Sequence, residues 1–170
     1  METEVVTAYV GLGSNLGDRA GNLLLATRGL MEASFFVNKL SAVYETEPVD
    51  LENASEHSKY LNMVAEIFVK SVSPSQMLAR MLRIEYLLGR KDKNLKKPRT
   101  VDLDLLLFGN FQLYTEFLTL PHLRMHERKF VLVPLAEIAP HFVHPVQNKT
   151  IQELLEMLKD DSEVRRWNPN

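Results

Sequence analysis

Cysteine is missing from all 170 residues of this chain, which excludes disulfides, thiol catalysis and cysteine-ligated zinc. No apolar run approaches the ~18 residues of a membrane span, and Met1-Glu2-Thr3-Glu4 lacks the apolar core of a secretion signal. A cytoplasmic protein without membrane contact is the expectation. Net charge is nearly absent as well: 20 Lys and Arg stand against 22 Asp and Glu, leaving −2. Nucleic-acid-binding domains are usually strongly basic, so no nucleic-acid partner is expected. The chain also lacks any G-x-x-x-x-G-K-S/T run, which excludes a P-loop. Its one glycine-rich turn, Gly11-Leu12-Gly13-Ser14-Asn15-Leu16-Gly17, has leucine where a dinucleotide fingerprint needs its third glycine.

What is present suits one globular domain over residues 1–170, with 45% apolar and 25% charged residues. Alternating Val6, Ala8, Val10 and Leu12 predict a first strand. A helix should follow, N-capped by Asp18, with Leu23, Leu24, Thr27, Leu30 and Met31 on its buried face. A second strand is predicted across 35–44, and a polar, aperiodic loop across 46–59. In a third strand, 60–69, Leu61, Met63, Ala65, Ile67 and Val69 face one way, and Tyr60, Asn62 and Glu66 the other. Ser73-Pro74-Ser75-Gln76 is a capping box that opens a second helix, with Met77, Leu78, Met81, Leu82, Ile84 and Leu88 buried and Gly89 closing it.

The fourth strand carries the chemistry. In Asp102-Leu103-Asp104-Leu105-Leu106-Leu107-Phe108 the two carboxylates fall at i and i+2. Strand side chains alternate faces and rise about 3.3 Å per residue, so these two share a face, roughly 6–7 Å apart. Val101, Leu103, Leu105 and Leu107 should point into a core. Adjacent like charges on a half-buried strand need compensation, and Mg²⁺ bound by one or two carboxylates plus substrate phosphates supplies it. An exposed edge strand with two aspartates is the plainer alternative. Arg90, Lys91, Lys93, Lys96, Lys97 and Arg99 crowd the preceding segment. They form a solvated loop, a nucleic-acid contact or a polyphosphate clamp, arginine being suited to phosphate oxygens.

Read in order, the elements are β-α-β-β-α-β, an α+β, ferredoxin-like sandwich. Both helices should cover one sheet face, leaving Tyr60, Asn62, Asp102 and Asp104 on an open opposite face. A hairpin through 117–120, a helix around 127–138 bent or shortened by Pro134, and a last helix capped by Thr150 and Glu153 should extend it. That last helix should bury Ile151, Leu154, Leu155 and Leu158. His122, Arg124 and Arg128 form a candidate phosphate-contacting trio. His122 and His126 have zinc-like spacing but lack an evident third ligand.

Taken together, the motifs resemble those of the 6-hydroxymethyl-7,8-dihydropterin pyrophosphokinase family of folate biosynthesis. They are Gly13-Ser14-Asn15-Leu16-Gly17-Asp18-Arg19, Tyr44-Glu45-Thr46-Glu47-Pro48, Tyr60-Leu61-Asn62, Arg83-Ile84-Glu85, Gly89-Arg90, and Pro98-Arg99-Thr100-Val101-Asp102-Leu103-Asp104. Pro121-His122, Arg128-Lys129-Phe130-Val131-Leu132 and Pro134-Leu135-Ala136-Glu137-Ile138-Ala139-Pro140 complete them. The resemblance implies transfer of pyrophosphate from ATP to the pterin hydroxymethyl, releasing AMP. It implies two Mg²⁺ ions on Asp102 and Asp104, with Arg90 and Arg99 clamping phosphates. Glu85, Leu105, His122 and Arg128 are implied as further ATP contacts. The pterin is implied between Tyr60 and Phe130, read by Asn62 and by the backbone at Thr46, Pro48 and Val49. The family commonly has Trp-Gly before the Pro-Arg pair, in a loop that closes on substrate. Here Lys96-Lys97 stand there. A monomer is expected. Two other readings remain open: a nucleotide- or RNA-binding regulator without chemistry, and a phosphotransferase with another alcohol acceptor.

Overall fold

The computed structural model of the protein describes residues 4–48, 58–89 and 100–170. Strict alternation builds the centre of its sheet. β1 (Val5–Ser14) sends Ala8, Val10 and Leu12 into the same core as Leu61, Met63, Ala65, Ile67 and Val69 of β4 (Tyr60–Lys70). These two strands pair antiparallel from Val5 opposite Lys70 to Ser14 opposite Leu61. β5 (Asp102–Phe108) lies antiparallel on the other edge of β1. β2 (Phe36–Leu40) and β3 (Tyr44–Thr46) both pair antiparallel with β4, and β8 (Val164–Arg166) adds to β3. With α1 (Arg19–Glu32) after β1 and α2 (Pro74–Leu87) after β4, this is the ferredoxin-like order.

Both helices start where the sequence places them. Asp18 accepts the Gly21 N–H at 3.0 Å, and Ser73 and Gln76 exchange both capping-box bonds. The helices approach closely at Gly29, where a Cβ would stand 2.9 Å from Ile84 Cγ2. Under them lies the first core, in which Leu30, Ile67, Met77 and Met81 are wholly buried. Each such side chain contributes about 1.5–3 kcal/mol over leaving it in water.

Packing corrects several expectations. The strand expected over 35–44 breaks at 41–43, because the Ser41 hydroxyl takes the Val64 N–H at 2.9 Å and Glu137 takes the Ala42 N–H. On α1 the buried stripe is Leu23, Ala26, Thr27 and Leu30, one step round the helix from Leu24 and Met31, which are exposed. On α2 Leu82 is exposed and Glu85 is buried instead, while Leu78 and Leu88 pack only at the core margin. A bulge opposite Tyr9 and Val10 shifts β5, so Leu107 pairs with Tyr9 and leaves the first core, which Phe108 enters.

The second sheet face is also only partly open. α3 (Lys129–Ile138) and α4 (Ile151–Met157) cover its far half, burying Tyr9, Val64, Leu106 and Leu107 together with Leu132, Leu135, Ile151 and Leu154. α3 begins two residues later than expected, after a 3-10 turn at Met125–Glu127, and holds Pro134 inside it. The hairpin consists of β6 (Leu113–Tyr114) and β7 (Thr119–Leu120), with Phe117 exposed in its turn rather than in a strand.

Candidate active site

The pairing registers set one row across four strands. Asp102 stands opposite Gly13, Gly13 opposite Asn62, and Asn62 opposite Tyr44. Directly paired residues share a sheet face, so a carboxylate, a gap, an amide and a phenol lie side by side. In the next row Asp104 stands opposite Gly11, and Gly11 opposite Val64. Both aspartates are half-buried, with buried Leu103 between them pointing the other way. The glycines leave room for their neighbours. A Cβ on Gly13 would meet Asn62 Oδ1 at 2.9 Å and Tyr60 Cδ1 at 3.7 Å, so β4 side chains lean over β1 there. Above Gly11 the space is taken by Leu106, 3.6 Å from where a Cβ would be.

On the amide side, Asn62 is buried and donates through Nδ2 to the buried Thr46 hydroxyl at 2.7 Å. That bond fixes the orientation of the amide and commits its NH₂ end to Thr46. Thr46 in turn pairs with half-buried Tyr60, and Pro48 is buried beyond it. Arg19 braces this end, donating to Glu45 and to the Lys59 carbonyl, both at 2.8 Å. Asn22 pins the turn after β1 through the Ser14 hydroxyl and the Leu16 carbonyl. Val49 lies outside the described residues.

Glu85, 2% exposed on α2, accepts the Leu103 N–H at 2.6 Å. It therefore braces the outer edge of β5 between the two aspartates. Leu105 packs with Leu103 in the first core, so its side chain points away from the aspartate face. His122 donates its N–H to the Leu106 carbonyl at 2.9 Å, tying the 122–128 segment to β5. Its Nδ1 accepts the Arg124 N–H at 3.3 Å, which leaves Nε2 to carry the hydrogen of the neutral ring. Arg128 N-caps α3, and its guanidinium lies 5.6 Å from the centroid of Phe130 in the first helical turn, a cation–π contact. Arg90, Arg99 and the Lys96-Lys97 pair lie outside the described residues. Asp102, Asp104, Asn62, Tyr60 and Thr46 thus share a face, and His122 is hydrogen-bonded to the strand that bears both carboxylates.

A model of the 7,8-dihydro-6-hydroxymethylpterin-pyrophosphokinase family matches residues 9–140, most of this chain. The chain belongs to this family. Among relatives, 2-amino-4-hydroxy-6-hydroxymethyldihydropteridine pyrophosphokinase of Bacillus subtilis is 46% identical over 132 residues, 77% of each chain. The Aquifex aeolicus protein of the same name is 35% identical over 149 residues, 88% of this chain and 90% of its own. The crystal structure of Plasmodium falciparum HPPK-DHPS A437G with STZ-DHP shares the fold, with a TM-score of 0.68 at 18% identity. The match covers 91% of this chain, which spans less than half of that one (46%). No described helix is long and apolar enough to cross a membrane.

Two residues of this candidate site were not singled out from the sequence by their geometry. Gly13 reads as part of a turn, yet it lies in β1 under Asn62. Tyr44 stands beside Asn62, and its hydroxyl donates to Glu137 on α3 at 2.9 Å. Burial, then that bond to Glu137, raise the pKa of the phenol. The alternation around both residues was readable, but their partners are not sequence neighbours.

Proposed function

We propose that this chain is a Mg²⁺-dependent pyrophosphokinase of folate biosynthesis. It transfers the terminal diphosphate of ATP to the hydroxymethyl of 6-hydroxymethyl-7,8-dihydropterin and releases AMP. The observation that carries this reading is the row Asp102–Gly13–Asn62, in a chain of the pyrophosphokinase family. It joins a carboxylate face to an oriented amide across a strand position without a side chain. Both hydrophobic cores lie against the same sheet, which supports one domain over 1–170.

The acceptor is a flat heteroaromatic. Tyr60 and Phe130 would sandwich it, with Thr46, Pro48 and Val49 lining its edge. One Nδ2 hydrogen of Asn62 is taken by Thr46, which orients Oδ1 to accept from ring N–H donors and leaves the second Nδ2 hydrogen to donate. On the ATP side, His122 Nε2, Arg128, Arg90 and Arg99 would hold phosphate oxygens. Glu85 would act through the edge of β5, and Leu105 through the backbone of the same strand.

The donor set suits Mg²⁺: two hard carboxylates share a face, and among the described residues no cluster of three or more potential ligands exists. Such a set leaves the remaining coordination to water and phosphate. Asp102 and Asp104 would hold two ions, which when bound neutralise triphosphate charge and polarise the attacking hydroxyl. The hydroxyl oxygen would then bond to the β-phosphorus as its proton is lost to solvent, the bond from that phosphorus to the α–β bridging oxygen would break, and AMP would depart with the electron pair. Orientation of the two substrates supplies most of the remaining acceleration.

Asp102→Asn tests the assignment. It is expected to cut turnover by roughly 10²–10³-fold or more while leaving the thermal midpoint and dihydropterin affinity close to wild type. Turnover near wild type in a folded Asp102→Asn protein would contradict the metal assignment.

A further inference from the structure

Two histidines meet where the 122–128 segment packs on the loop between α3 and α4. His144 is 2% exposed and sits in a rigid turn. Its N–H donates to the Lys149 carbonyl and its own carbonyl accepts from the Asn148 N–H, both at 2.9 Å. Its Nδ1 accepts from the N–H groups of Val146 and Gln147, at 3.2 and 3.0 Å. A neutral imidazole that accepts at Nδ1 carries its hydrogen at Nε2, and burial, then the neighbouring His126, lower the pKa of His144 to about 4. That Nε2 is buried and has no hydrogen-bond partner.

Facing it is His126, with ring centroids 5.9 Å apart and planes at 74°. His126 Nδ1 is buried and also has no partner, while Nε2 lies 3.9 Å from Glu127 Oε1. In the neutral ring, a carboxylate on that side favours the tautomer with its hydrogen at Nε2 and a lone pair on Nδ1. A buried donor and a buried acceptor therefore stand across one ring contact, both unsatisfied, a costly state that calls for an explanation. A metal ion between them does not fit, because the bonds to His144 Nδ1 leave a hydrogen rather than a lone pair on Nε2.

The placement ties this pair to the phosphate side of the site. His126 lies in the 3-10 turn between Arg124 and Arg128, four residues after His122. The other anchors of the segment are wholly buried Met125 and the His122 N–H on β5. We propose that His126 and His144 are positioning residues for the triphosphate. ATP draws the 122–128 segment inward, the His144 Nε2–H donates to His126 Nδ1, and that bond fixes His122, Arg124 and Arg128 against the phosphates. This inference rests on the pyrophosphokinase reading.

The side-chain geometry supplies separate tests. His144→Asn keeps an acceptor for the Val146 and Gln147 N–H groups and removes the Nε2 donor. His126→Asn keeps an acceptor near the Nδ1 position, and His126→Leu removes it. Calorimetry on the full chain would measure binding of α,β-methylene-ATP with Mg²⁺, then of 6-hydroxymethyl-7,8-dihydropterin at saturating analogue. His144→Asn and His126→Leu should weaken the ATP analogue about tenfold, His126→Asn should restore near wild-type affinity, and dihydropterin binding should not change. A folded His144→Asn protein with wild-type affinity for the analogue would overturn the proposal. So would parallel loss of both ligands, or a His126→Asn protein no better than His126→Leu. If His144→Asn fails to fold, the two His126 variants decide. A wild-type chain that does not bind the analogue would instead overturn the pyrophosphokinase reading itself.

Discussion

A methyl group at Gly13 would displace Asn62, whose Oδ1 lies 2.9 Å from where it would sit. Overpacking of this kind costs about 1–3 kcal/mol, and here Asn62 is the group that must move. Gly13→Ala is therefore expected to raise the dihydropterin KM about tenfold with little change in the ATP KM. Equal change in both KM values would contradict that placement. Asp102 and Asp104 were legible from sequence because a period of two fixes their common face locally. Gly13 was not, because its constraint comes from a residue on β4, 49 positions away. His144 gives a second prediction at this scale. Its pKa is about 4 in the folded chain against an ordinary 6.5, so the unfolded chain takes up a proton that the folded one refuses. Stability from this group is complete above pH 6.5 and is lost as pH falls toward 4, at most about 3 kcal/mol. Urea titrations from pH 7 to pH 4 should show that loss in the wild type and a smaller one in His144→Asn. Identical pH dependence in the two proteins would contradict it.

Among the elements, those with local capping signals were legible in where they start but not in all they bury. Leu82 is exposed on α2. Leu155 and Leu158, expected to be buried by the last helix, are only half-buried, Leu158 lying past its end. α2 follows its Ser73-Pro74-Ser75-Gln76 box, and α4 its Thr150 and Glu153 box. The break between β2 and β3 was not legible, because its cause is distant in sequence. Glu137 on α3 accepts the Ala42 N–H at 3.0 and 3.1 Å and the Tyr44 hydroxyl at 2.9 Å. β8 was missed because three residues carry too little alternation to register. Glu137→Ala should destabilise the fold by about 1 kcal/mol, measured by urea unfolding. Tyr44→Phe should then cost less in the Glu137→Ala background than alone. Additive costs would mean that the two side chains do not act together.

For the whole molecule, β-α-β-β-α-β order was legible because strands of period two and helices of period 3.6 alternate between loops along the first 108 residues, the second strand alone being divided. The docking of α3 and α4 was not, since an amphipathic helix does not say which apolar surface it will cover. That docking closes the far half of the second sheet face and leaves uncovered by those helices the end with Asp102, Asp104, Tyr60 and Asn62, the site proposed above. This end is proposed to join a diphosphate to a pterin alcohol. Incubating the wild-type chain with Mg-ATP and 6-hydroxymethyl-7,8-dihydropterin, and separating nucleotides and pterins by chromatography, tests it most directly. AMP and pterin diphosphate should form in equal amounts. ADP with a pterin monophosphate would contradict it.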